Sequence, residues 1–412
     1  METINFKVYK YRWVVLVVYM FVVTVNQLLW ITFAPVTSEA TLYYHVTDMQ
    51  IGMLSMCFML VYLVVSIPAS WVIDTYGIRW GVGIGVVLTG VFGLTRSMAA
   101  IDYNLLLWSQ IGVAVGQPFI LNALTKIAAR WFPIEERATA SGFGTLAMYL
   151  GVLVGMLLTP YLVKENGMSG MIYCYGIVAI LSPVLFLLLV RERPATPPCR
   201  PDQEERSLAF TGLKDTLHNK AFYWLMIIFF VGLGIFNCVA TWIEDILKPR
   251  GFTAEQAGTT GGVMIIGGVV GAIIMPMLSD RLRKRVPFIT IALIGAIVGL
   301  AGITFAESYW MLLTSSVILG FFLLSAGPIG FQYGAEMTFP APESTSNGLL
   351  LLVGQISGIA FIFGMDSFKS SVTGSMTKPL IVLIGLIVVS LFLSTLLKES
   401  KLISSKKEEK SS

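Results

Sequence analysis

The chain has 412 residues, of which 56% are hydrophobic and 13% charged, with a net charge of +4 and a mean hydropathy of +0.78. A soluble chain of this length would form two or three domains, but many of its apolar runs reach the roughly 20 residues that carry a helix across a hydrocarbon core. This excludes a soluble globular protein, and the few charges sit in tails and loops, so no nucleic-acid partner is expected.

Twelve spans can be read in order. The first six fall at about 13–36, 51–73, 80–97, 104–128, 138–163 and 170–190, and the second six at about 221–247, 257–279, 286–306, 309–335, 344–367 and 378–397. The first could pass for a signal peptide, with Lys7, Lys10 and Arg12 ahead of it. Its apolar run is too long for that, and losing it would break the six-plus-six count, so it reads as a retained helix. The expected organisation is an all-α membrane protein: a six-helix bundle over 1–190, a linker over 191–220, a second bundle over 221–398 and a disordered tail over 399–412. The linker is expected to be extended because Pro194, Pro197 and Pro198 cluster in it without apolar periodicity.

Lys and Arg set the orientation. With the N-terminus inside, inner segments hold 22 of the 28 and outer segments six: Arg96, Lys164, Lys248, Arg250, Lys369 and Lys378. Both ends and the linker are therefore expected in the cytoplasm. The lack of an Asn-x-Ser/Thr sequon and the short tails lean towards a prokaryotic inner membrane. Cys57, Cys174 and Cys238 lie in spans and Cys199 in the linker, without a CxxC, and the two histidines, His45 and His218, lie in loops. No disulfide framework, metal site or cofactor is expected. An enzyme is not expected either, because no nucleophile–base–acid set is visible.

The charged turn Asp74-Thr75-Tyr76-Gly77-Ile78-Arg79 joins the second and third spans, and Asp280-Arg281-Leu282-Arg283-Lys284-Arg285 joins the eighth and ninth, about 206 residues later. The repeat resembles the major facilitator superfamily, whose turn at this place reads G-x-x-x-D-x-x-G-x-R; Ser70 and Pro276 stand where its first Gly would be. In that superfamily the Asp latches the inner face by pairing with an Arg and a helix N-terminus. The resemblance implies gating roles for Asp74, Arg79, Asp280 and Arg281. It also implies two bundles that rock against each other through helices 2, 5, 8 and 11. Gly144, Gly151 and Gly155, Gly267 and Gly271, and Gly354 and Gly358 each share a face on helices 5, 8 and 11. They fit such moving contacts or ordinary tight packing equally well.

Several stretches narrow the resemblance: Leu54-Ser55-Met56, Met59-Leu60-Val61-Tyr62, Pro68-Ala69-Ser70-Trp71, Ser109-Gln110 with Gln117, Trp131-Phe132, and Pro342 to Leu350 followed by Gln355. They are similar to the feline leukaemia virus subgroup C receptor-related family, solute carrier family 49. Its members move choline and ethanolamine, and haem export has also been attributed to them. The resemblance implies an aromatic cage for a quaternary ammonium, with Asn26, Trp30 and Gln355 in matching positions. Tyr149 replaces a Gln on helix 5, and Asn237 replaces a Tyr on helix 7.

The residues support a cavity independently. Asn26 and Trp30 are four apart on one face, about 20–26 Å along the first helix from Trp13. Gln117, Tyr149, Asn237 and Gln355 fall near the same depth. An amide can bridge two helices and a Trp can simply pack, but six such groups at one depth favour a shared polar cavity. No Lys or Arg lies mid-span, which argues against an anionic substrate. No acid or His sits centrally, which favours uniport. Glu244 and Asp245 end the seventh helix, either as solvated ends or as acids gathering cations at an outer mouth. The expected activity is carriage of a small organic cation or amine by alternating access, by a chain acting as a monomer. The rivals are a carrier of haem or another neutral or anionic metabolite, and a receptor that moves nothing. The orientation has a direct check. Cys199 should react with a membrane-impermeant maleimide only after cells are opened, and labelling of intact cells would reverse the assignment.

Overall fold

The computed structural model describes residues 8–99, 101–196, 219–338 and 343–399, and every regular element among them is helical. The long helices are α1 (Arg12–Ile31), α2 (Asp48–Tyr76), α3 (Ile78–Thr95), α4 (Tyr103–Leu121), α5 (134–166), α6 (168–189), α7 (Lys220–Thr241), α8 (Ala254–Leu282), α9 (Val286–Phe305), α10 (Tyr309–Thr338), α11 (Glu343–Ser367) and α12 (Thr377–Ser394). Shorter helical pieces extend some of them, at Thr37–Tyr44, Leu124–Trp131 and Ile243–Leu247. The chain divides into two compact units, Met1–Ser207 and Leu208–Ser412. Most of the expected linker (197–218) and nearly all of the expected tail (400–412) lie outside the described residues.

Hydrogen bonding alone runs α5 and α6 together as 56 helical residues. One helix of that length would be about 84 Å long, against a hydrocarbon core of about 30 Å. Gly167 breaks it, with φ 69° and ψ 174°, a conformation a residue with a Cβ rarely adopts. Eleven apolar stretches of membrane-spanning length thus become twelve helices, the number expected from the hydropathy.

The duplication is written in the helix starts. Thr47 and Gln50 form a capping box on α2, and Thr253 and Gln256 form the same box on α8, about 206 residues later. Asp102 caps α4 through the amides of Asn104 and Leu105. Ser308, again about 206 residues on, accepts from the amide of Met311 at the start of α10. Each cap meets backbone donors that the helix itself leaves bare.

In the first unit α1 is the central pillar. Its Val15, Leu16, Tyr19, Val22 and Val23 are buried with Val82 and Val86 of α3, Ile120 of α4 and Phe186 of α6. Tyr19 satisfies its hydroxyl inside this core by donating to the Ile120 carbonyl at 2.9 Å. Between lipid-immersed helices the gain comes from close packing, so backbones must approach. α3 and α4 do so at a pair of glycines: a Cβ on Gly85 would lie 2.6 Å from the Gly116 carbonyl oxygen, and one on Gly116 2.5 Å from that of Gly85.

The glycines of α5, α8 and α11 resolve the same way. Gly151 lies on the Thr24 backbone of α1, Gly267 and Gly271 on Val317 and Phe321 of α10, and Gly354 on Leu233 of α7. Each is a tight contact within its own unit, so close packing accounts for these four glycines.

A side chain at the α3–α4 crossing should force the helices apart. Gly116→Val is expected to cost about 1–3 kcal/mol, read as a lower thermal unfolding midpoint in detergent. Gly142→Val, where nothing lies within 4 Å of a Cβ, should leave the midpoint unchanged.

Candidate functional site: charged turns and mid-depth polar groups

The charged turns form a repeated set of ion pairs, each inside its own unit. In the first unit, Lys126 holds Asp74 at 3.1 Å and donates to the Ile73 carbonyl at 2.6 Å. The bare start of α3 is met by Glu192, which accepts from the amides of Ile78 (3.1 Å) and Arg79 (2.7 Å) and pairs with Arg130. A carboxylate at a helix N-terminus gains from both the free N–H groups and the helix dipole. The second unit repeats this. Glu399 accepts from the amides of Arg285 and Val286 at the start of α9. Arg285 joins Asp280 at 2.5 Å and Glu336 at 3.1 Å.

These contacts correct several sequence expectations. The partner of Asp74 is Lys126 rather than an Arg, and the acid on the α3 N-terminus is Glu192 rather than Asp74. Arg79 and Arg281 have exposed side chains without an ion pair among the described residues, and the arginine bound to Asp280 is Arg285. Counting five residues from each Asp would have found it, since Arg285 holds the place of Arg79. Glu399, assigned to the tail by sequence, is bound at α9. Positive φ occurs at Gly77 (φ 89°, ψ −175°) and again at Arg283 (φ 52°, ψ 45°), about 206 residues later, though the two backbones differ in ψ.

Of the mid-depth groups, Asn26 is fully buried and donates to Thr89 Oγ1 of α3 at 3.2 Å. Trp30 donates its indole N–H to the Ser55 carbonyl at 3.2 Å, and Ser55 returns a bond to the Trp30 carbonyl at 3.3 Å. The reciprocal pair fixes the ring against α2. Gln117 is buried on α4, and Tyr149 is half-buried on α5. Their levels agree. Thr24 bonds the Ala147 carbonyl, and Thr89 lies against both Asn26 and Gly116. Gln110, by contrast, is a strut: its amide donates to the carbonyls of Leu29 (3.0 Å) and Leu54 (3.1 Å), tying α4 to α1 and α2.

In the second unit, Asn237 on α7 and Gln355 on α11 are both half-buried. The two helices run side by side, with Phe230 and Phe361 ring centroids 5.5 Å apart and Gly354 on Leu233. That register sets Asn237 and Gln355 within about one helical turn of each other. Glu244 and Asp245 are buried rather than solvated, at 4% and 3% exposure, and Lys369 neutralises Asp245 at 2.9 Å. The pair is therefore no open collector of cations in this structure.

Sequence reasoning did not foresee the burial of one cation. Arg96, counted with the outer segments at the end of the third span, is 1% exposed at the end of α3. Its Nη1 donates to the Leu29 carbonyl at 3.4 Å, and its guanidinium lies 5.3 Å from the Phe33 ring centroid. The expectation concerned cations at mid-span, and Arg96 is a buried cation at a helix end.

Residues 15–362 match the model of the Major Facilitator Superfamily. Solute carrier family 49 member A3 of Xenopus tropicalis is 30% identical over 376 residues, covering 87% of this chain and 78% of that protein. The chain belongs to the Major Facilitator Superfamily and, within it, to solute carrier family 49. The zebrafish (Danio rerio) member A3 is 31% identical over 383 residues, covering 89% and 80%. The choline/ethanolamine transporter FLVCR2 of Rattus norvegicus is 28% identical over 376 residues, covering 86% and 69%. Among solved structures, a bacterial homologue of the lysosomal transporter Spinster aligns with a TM-score of 0.76 at 16% identity, covering 95% of this chain and 97% of that one. That likeness concerns the fold alone. This solute carrier family 49 protein is thus a multi-pass membrane transporter and not an enzyme.

The charged turns offer a test that separates the two arginine readings. Glu192→Gln, which removes the charge from the α3 N-terminus and from Arg130, should cost about 1 kcal/mol and lower the thermal midpoint by a few degrees. Arg79→Gln should leave it unchanged. The reverse order would return the latch to Arg79.

Proposed function

We propose that this transporter moves a small organic cation or amine, of the choline or ethanolamine type, by alternating access and as a uniporter. The observation that carries the reading is the fixed indole of Trp30. Its N–H is committed to the Ser55 carbonyl, so the ring face, and not its polar edge, is what remains to meet a ligand. A cation over such a face gains about 0.5–2 kcal/mol, most when desolvated. Asn26, Gln117 and Tyr149 share its unit, and Asn237 and Gln355 are the corresponding candidates of the second unit. Kinship with a protein named a choline/ethanolamine transporter supports the substrate class, while the member A3 relatives carry no substrate in their names.

Both chain ends are inferred to face the cytoplasm from the Lys and Arg distribution. The turns at Asp74 and Asp280 then lie on the cytoplasmic side. There the Asp74–Lys126 and Asp280–Arg285 pairs bias the conformational equilibrium to the extent that they differ between open and closed states.

Uptake of labelled choline and ethanolamine by proteoliposomes tests the substrate class, and counterflow separates a carrier from a receptor that moves nothing. Trp30→Ala and Gln355→Ala should each weaken substrate affinity about fivefold or more, roughly 1 kcal/mol, with near-normal expression. Trp30→Phe should retain part of the activity, and Tyr149→Ala should also impair it. Wild-type affinity in Trp30→Ala would reduce Trp30 to packing.

A further inference from the structure

Arg96 is the one fully buried arginine side chain among the described residues that no carboxylate meets. Its Nη1 reaches the Leu29 carbonyl at 3.4 Å, and its Nε and Nη2 have no partner. The groups close enough to feel its charge are Tyr44, Tyr175 and Cys57, all neutral in their ordinary state. A guanidinium does not give up its proton in a protein, so the charge cannot be removed by titration. Left alone in an apolar interior it would be strongly destabilising.

A second donor converges on the same place. The Tyr44 hydroxyl is buried and without a partner. Its ring centroid lies 6.5 Å from that of Phe33, the ring that also lies 5.3 Å from the guanidinium. Tyr175 differs from Tyr44 in that its hydroxyl already has a partner, Thr159 at 2.8 Å, in a bond that either oxygen can donate. Three unspent donor atoms, two of them cationic, thus belong to neighbours in one interior region of the first unit. Tyr44, Tyr175, Cys57 and Gln110 are each under a tenth exposed. This enclosure suits a small inorganic anion better than a metabolite.

We propose that Arg96 and Tyr44 bind one small monovalent anion of the halide type inside the N-terminal unit, as a resident counter-ion. Arg96 Nε and Nη2 donate to it, and Tyr44 Oη caps it from the end of the short helix Thr37–Tyr44. The ion neutralises the guanidinium and ties that helix to the end of α3. It is a fixed structural ligand, separate from the transported solute, so it stands whether or not the substrate is a cation.

The test uses the full-length protein in detergent at constant ionic strength, with sodium chloride exchanged stepwise for sodium gluconate. The thermal midpoint should rise with chloride and saturate between about 1 and 100 mM, as single-site linkage requires. Equilibrium binding of radioactive chloride should reach one ion per chain. Arg96→Gln should abolish both effects, and Tyr44→Phe should raise the half-saturating concentration about threefold or more. A wild-type midpoint indifferent to chloride, with no bound ion, would show that water fills the site and overturn the proposal. Chloride dependence that persists in Arg96→Gln would place the ion elsewhere and overturn it equally. If Arg96→Gln yields no folded protein, Tyr44→Phe decides: an unchanged half-saturation sinks the assignment.

Discussion

A carboxylate bound to the naked start of a helix closes each six-helix unit. Glu192, just beyond α6, holds the first amides of α3, and Glu399, beyond α12, holds those of α9. The bond joins the last helix of a unit to its third, so the four helices from the third to the sixth must bring the chain back to the end of the bundle where they began. At that end the protein meets the lipid headgroups, where an unpaired backbone donor can still find water but gains more from a fixed anion. The basic residues of the turns then gather around these acids: Arg130 on Glu192, Lys126 on Asp74, and Arg285 on both Asp280 and Glu336.

The fold was largely legible because lipid enforces simple rules. Every spanning segment must satisfy its own backbone, so apolar runs of sufficient length gave the helices, and the charged turns with their spacing gave the duplication. The boundary between α5 and α6 was found because hydropathy dips there, although a single glycine makes the whole break. What escaped were contacts between residues far apart in sequence. Glu192 and Glu399 lie more than a hundred residues from the amides they bind, in stretches whose composition reads as linker and tail. The burial of Arg96 was not visible, because its neighbours Leu29, Phe33 and Tyr44 are brought to it only by folding.

The polar groups at mid-depth divide into struts and candidates, and only the structure separates them. Gln110 and Gln117 look alike in sequence, seven apart on one helix face. Gln110 spends both amide hydrogens on carbonyls of two neighbouring helices, which fixes where α4 can sit. Asn26 is intermediate, with its amide on Thr89 and its oxygen unpartnered. Trp30 is the most constrained of the set, bonded through both its indole and its backbone carbonyl to one serine. A side chain held in this way has little freedom left to lose, whatever packs against it.

The turn at Arg283 has a consequence for how the ancestry of this chain is read. Both Arg283 and its counterpart Gly77 have positive φ, 52° and 89°, but ψ is 45° at the first and −175° at the second. Arg283 sits in the left-handed helical region, which a residue with a Cβ enters at some cost, whereas the Gly77 geometry belongs almost to glycine alone. The two halves therefore reverse the chain at this place by different backbone routes. An alignment of the halves by residue identity or by dihedral angle would score the position as a mismatch, and what still pairs the two turns is the carboxylate that each receives from more than a hundred residues away, Glu192 at one and Glu399 at the other.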